Sequence, residues 1–121
     1  MGFFAATEVD VRDIDQKYGA LLLDDERILA AFKTMRDIVF LTGDRMCLIN
    51  VQGLTGKKVE VTSIPYRSIV RYSLETAGTF DLDADLRIWI SGTPEPIEIK
   101  IGRGSDLPGV QQLLAKGVLR R

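Results

Sequence analysis

Between residues 28 and 101 the apolar residues of this chain keep returning at every second position, and that period limits the fold more than any other feature. It is clearest at 81–90, where Leu82, Ala84, Leu86, Ile88 and Ile90 alternate with Asp81, Asp83, Asp85, Arg87 and Trp89. Successive side chains of a β-strand point to opposite faces, so this segment reads as a strand with one core face and one wet face.

Six more segments carry the same signal. Ile28, Ala30 and Phe32 alternate in a first strand, and "DIVFLT" (37–42) and "RMCLINV" (45–51) are denser apolar runs on either side of Gly43-Asp44, a tight hairpin signal. "QGLTG" (52–56) is a glycine-punctuated turn before "KKVEVTSI" (57–64), which Pro65 ends because proline cannot donate to a ladder. "SIVRYSLE" (68–75) reads as a fifth strand. "GTPEP" then separates the sixth from a seventh, in which Ile97, Ile99 and Ile101 alternate with Glu98 and Lys100.

At both ends the period becomes helical. Val11, Ile14, Tyr18, Leu21 and Leu22 predict a short amphipathic helix over 8–20, loosened at Gly19 and turned by "DDE" at 24–26. Leu107, Val110, Leu113, Leu114 and Val118 form a stripe behind Ser105, a candidate N-cap. Seven hairpin-linked antiparallel strands cannot bury one flat sheet, so they should bend into a sandwich or partly open barrel with the C-terminal helix over its open end. At 121 residues a single domain, 1–121, is expected.

Composition removes several kinds of chemistry. There is no His and one Cys, Cys47, which excludes the usual Cys/His zinc sites, His-assisted nucleophiles and an internal disulfide. Cys47 lies in an apolar run and is expected to be buried and inert. A net charge of −1 gives no field toward nucleic acid or anionic lipid. "MGFFAAT" lacks a basic n-region, and Ala6 stands where a myristoylation signal needs Ser or Thr. With no apolar run near the roughly 20 residues of a membrane span, a cytoplasmic protein is expected.

The alternate Asp81, Asp83 and Asp85 resemble a calcium loop only superficially. Leu86 stands where the loop needs Gly, Gly92 where it needs Glu, and carboxylates about 7 Å apart on a strand face cannot wrap a small cation. "GLTGKK" fails as a phosphate loop, with Val51 and Lys58 at positions that need Gly and Ser or Thr. In "GRGSD" (102–106), Asp106 is expected to cap the helix that follows. Lys33, Arg36, Arg45, Lys57 and Lys58 are the candidate anion-binding residues. Trp89 on a polar strand face implies a cover, which is either a partner subunit or the N-terminal helix; both readings stand.

The segment 36–69 with 73–92 resembles the bacterial pleckstrin-homology-like family. The resemblance spans about residues 8–118. It is carried by Arg36-Asp37 before a strand, Thr42 with Arg45, and the turn from Gln52-Gly53 through Thr55-Gly56-Lys57-Lys58. Pro65-Tyr66 and the run from Glu75-Thr76-Ala77-Gly78 to Asp81-Leu82-Asp83 complete it. Gly43 departs from the polar turn residue the family often has. The resemblance implies a pleckstrin-homology-like sandwich and homo-oligomeric, pentameric rings; it brings no activity, cofactor or ligand residue. A non-enzymatic, self-associating module is therefore expected, with a contact drawn from Glu75, Thr76, Phe80, Asp81, Asp83, Asp85, Arg87 and Trp89, and with Arg67 or Arg71 as further basic candidates. Other proteins are secondary candidate partners, nucleic acid is not expected, and an anionic-lipid or phosphoinositide binder is the alternative.

Overall fold

The computed structural model describes residues 6–53, 58–76, 78 and 83–120. Its elements in order are β1 (Thr7–Glu8), α1 (Val11–Tyr18), β2 (Ile28–Lys33), β3 (Asp37–Thr42), β4 (Arg45–Gln52), β5 (Lys58–Pro65), β6 (Ile69–Thr76), β7 (Ala84–Ile90), β8 (Ile97–Ile101) and α2 (Leu107–Leu114). The strands form two antiparallel sheets, β1-β2-β3-β4-β5 and β6-β7-β8.

Among the described residues eight strands stand where the sequence pattern predicts seven. The extra one, β1, is two residues long and pairs Thr7 with Lys33 and Glu8 with Phe32, too short to leave a period. It also moves the start of the first helix from residue 8 to residue 11. Asp10 is the N-cap, its carboxylate accepting from the Arg12 N–H at 2.9 Å. At the other end Asp106, not Ser105, caps α2 by accepting from the Gly109 N–H at 3.1 Å.

The central strands β2, β3 and β4 bury residues on both faces of the five-stranded sheet. Ala30, Phe32, Val39, Leu41, Met46 and Ile64 face inward against Leu86 and Ile88 of the second sheet and Leu107, Val110 and Leu114 of α2. Ala31, Ile38, Phe40, Cys47 and Ile49 face outward, beneath Ile14 of α1. Ile28 belongs to this outer set, although strict alternation would place it beside Ala30. A bulge at Leu29 shifts the register between Ile28 and Ala30, so the two point to opposite faces.

The β3–β4 hairpin is held by a side chain and not by a left-handed glycine. The Thr42 hydroxyl accepts from the Asp44 N–H at 3.0 Å and from the Arg45 N–H at 3.1 Å. Gly43 has a negative φ and open space where a Cβ would stand, so a polar residue would fit equally well there.

The two sheets meet at one corner. Ala6 bridges to Ile101, donating to the Lys100 carbonyl at 2.7 Å and accepting from the Gly102 N–H at 2.8 Å. Strand order thus runs continuously from β5 through β1 to β8 and on to β6. The opposite corner stays open. Among the described residues β5 pairs only with β4 and β6 only with β7, although a single turn at Tyr66–Ser68 joins them. The result is a sandwich with one seam, not a closed barrel. Tyr66 anchors that turn: its hydroxyl donates to the Thr42 carbonyl at 2.7 Å, and its ring lies against Gly117, in the wide π-type turn that follows α2.

Candidate functional site

The outer face of the three-stranded sheet collects most of the residues expected at a subunit contact. Antiparallel register aligns Arg71 with Trp89, Ser73 with Arg87 and Glu98, and Glu75 with Asp85 and Lys100. Opposite charges on neighbouring strands therefore meet. Arg87 reaches Glu75 at 2.8 Å and Glu98 at 3.2 Å, and Lys100 lies 3.5 Å from Asp85. These are exposed pairs, each worth roughly 0–1 kcal/mol, so they organise the face more than they stabilise it.

Trp89 has a cover that neither sequence reading named. The Arg71 guanidinium stacks 4.0 Å from its ring centroid, while α1 packs on the outer face of the other sheet. Asp83 stands just before β7, and its carboxylate accepts from the Arg103 N–H at 2.9 Å, fixing the loop into α2. Phe80 and Asp81 lie outside the described residues, as does Lys57 of the basic set. Among the described residues no three acidic or thiol side chains gather closely enough to hold a metal ion.

The basic candidates do not form one patch. Arg45 lies at the β3–β4 turn, while Lys33, Arg36 and Lys58 lie at the other end of these strands, about 17 Å away along β3. Arg36 donates to the Gly53 carbonyl. Arg45 is engaged on every side: Nε and Nη2 hold Glu26 at 2.8 and 2.6 Å, Nη2 also meets the Leu21 carbonyl, and Nη1 meets Ser63.

Glu26, read in the sequence only as part of a turn, is 3% exposed. The Arg45 guanidinium beside it holds its carboxyl at about 2, with help from the Thr42 hydroxyl at 2.6 Å and the Leu23 N–H, against burial, which works the other way. No periodicity marks such a residue, because its partner stands 19 positions away in a different hairpin. Cys47 is buried, and burial raises its thiol above the ordinary range, so it stays protonated.

Two further features were not legible in sequence. The first is the pair of strand edges at the seam that have no pairing partner among the described residues. Every residue of β5 except Ile64 is exposed, including Val59 at 49% and Val61 at 44%; on β6 a bulge turns Val70 outward, 65% exposed. The second is a cleft of about 360 Å³ between the inner face of β3–β4–β5 and β8. Val39, Leu48, Ile97 and Ile99 give it apolar walls, and the cross-strand row Asp37, Asn50 and Glu60 gives it a polar one.

Two stacked antiparallel sheets, joined at one corner and covered by a C-terminal helix, define a pleckstrin-homology-like module. The chain belongs to the bacterial PH domain family, whose model matches residues 2–118. It is similar to the Bacillus subtilis (strain 168) uncharacterized protein YjqA, at 41% identity over 91% of this chain and 89% of that one. Two solved structures resemble it closely. A duf1696 family protein with a pleckstrin-homology domain from Shewanella loihica PV-4 superposes with a TM-score of 0.82 at 39% identity, covering 94% of this chain and 97% of the other. A pleckstrin homology domain from Shewanella amazonensis SB2B does so with a TM-score of 0.69 at 43% identity, covering 98% and 94%.

Proposed function

We propose that this chain is a non-enzymatic interaction module that self-associates into a closed homo-oligomeric ring. The observation that carries the proposal is the open seam: among the described residues each subunit presents two different unpaired edges, β5 and β6. An exposed edge is a template for another strand, and β5, though it carries Lys58, Glu60 and Pro65, also exposes Val59 and Val61. Two unlike edges on one subunit favour a heterologous contact, β5 of one copy against β6 of the next, and a heterologous contact that closes makes a ring.

The outer face of β6–β7–β8 borders the β6 edge, so Glu75, Arg87 and Trp89 belong to the proposed contact as its rim, with Arg71 over the indole and Thr76 at the end of the β6 edge itself. Asp85 stands on β7 opposite Glu75 and Asp83 just before that strand, and their bonds to Lys100 and Arg103 stay within the subunit. The pentamer implied by family resemblance is the expected ring size. Substituting Val61→Lys tests the reading: a charge on the β5 edge should dissociate the assembly into folded monomers, seen by light scattering with circular dichroism as the folding control. A variant that keeps the wild-type mass removes β5 from the contact.

A further inference from the structure

We infer that the cleft between β8 and the inner face of β3–β5 binds a small organic cation, an ammonium or guanidinium group on an apolar stem. Its volume of about 360 Å³ falls at the lower end of the range for small-molecule sites. The apolar part of such a ligand would lie along Val39, Leu48, Ile97 and Ile99, side chains that are buried or half-buried between the two sheets.

The charge of the ligand follows from the row Asp37, Asn50 and Glu60, adjacent on three neighbouring strands. The Asn50 amide donates its Nδ2 hydrogen to Asp37 Oδ1 at 2.8 Å, which leaves Asn50 Oδ1 as an acceptor. Asp37 and Glu60 accept only, so this wall offers acceptors to whatever enters and asks for a donor. Among the described residues no cation answers it. Of the other charged residues lining the cleft, Glu98 is bonded to Arg87, and Lys100 is turned to Asp85. Arg36, next to Asp37, is held by the Gly53 carbonyl, and Lys33 and Lys58 are not among the lining residues. Glu98 and Lys100 thus direct their charges to the outer face, and the two carboxylates that remain, Asp37 and Glu60, repel a phosphate and favour a positive head.

The test is amide-resolved NMR titration of the full chain with n-hexylammonium chloride, with sodium hexanoate as the same stem of opposite charge. Hexylammonium should shift the amides of Asn50, Glu60 and Ile99, and hexanoate should leave them unmoved. Glu60→Gln, at an exposed position that does not touch the core, should weaken the amine about tenfold, the loss expected for one charge-assisted hydrogen bond. An N-acetyl-lysine methylamide arm asks whether a protein lysine is the source: shifts at the same amides extend the site to peptide side chains. The inference is overturned if hexanoate or inorganic phosphate moves these amides equally, if hexylammonium moves none of them, or if Glu60→Gln binds the amine as wild type does. None of these outcomes depends on oligomeric state.

Discussion

Arg45 Nη2 lies 2.6 Å from Glu26 Oε1, and through this pair the segment before β2 is bonded to the β3–β4 hairpin. Glu26 has no exposed side-chain surface, so its charge persists only because Arg45, Thr42 and the Leu23 N–H surround it. Removing one partner of such a pair leaves the other uncompensated, which typically costs about 3–5 kcal/mol. Glu26→Gln should lower stability by that order in urea unfolding at neutral pH.

The same pair sets an acid limit. Glu26 is held at about 2 in the folded protein against an ordinary value of 4.5, so its folded pKa is depressed. Its contribution is then present above about pH 4.5 and lost as pH falls from there toward 2. Integrated over that shift it is of the order of 3 kcal/mol. The gap in stability between wild type and Glu26→Gln should therefore be full at pH 6 and narrow below pH 4.5; a gap that stays constant down to pH 3 would place the stabilisation elsewhere.

Gly117 lies so close to Tyr66 that an added Cβ would come within 2.3 Å of its ring. Tyr66 is buried and cannot swing away without breaking its bond to the Thr42 carbonyl. Gly117→Ala should cost about 1–3 kcal/mol by overpacking, and Tyr66→Phe about 1 kcal/mol through one hydrogen bond. Thermal unfolding of both variants checks the order: alanine at 117 should do more harm than the loss of the hydroxyl.

Trp89 is the chain's one tryptophan, so intrinsic fluorescence reports its surroundings directly. Arg71→Ala removes the stacked guanidinium and should make the emission redder and more readily quenched by acrylamide, with a stability change of only about 0.5–1 kcal/mol. An unchanged spectrum in a monomeric variant such as Val61→Lys would show that Arg71 is not the cover.

Little binding to anionic membranes is expected. Arg45 and Arg36 are engaged within the chain, and the cleft is acidic. Vesicles containing phosphatidylserine or phosphoinositide should sediment little protein at about 0.15 M salt, where screening acts beyond roughly 8 Å. Strong sedimentation abolished by Lys33→Ala plus Lys58→Ala would favour the lipid-binding alternative.

The fold was legible where one periodic face meets one core. The segment Ala84–Ile90 alternates in sequence, and its inner residues Ala84, Leu86 and Ile88 are buried as that alternation requires. Legibility failed where structure depends on a partner far along the chain. The bulge at Leu29 breaks a short alternation without any glycine to signal it, and β1 is too short to show a period. Glu26 and Arg45 looked like a turn residue and a free cation because nothing local joins them. The cleft was equally silent, since Asp37, Asn50 and Glu60 become neighbours only through strand register.

Light scattering of the wild-type protein in solution tests the central proposal most directly. The open seam predicts a single species several times the 13.5 kDa subunit mass, with five copies the expected number, persisting on dilution through the micromolar range. A mass of 13.5 kDa at tens of micromolar would contradict it, and the β5 and β6 edges would then stand free in solution.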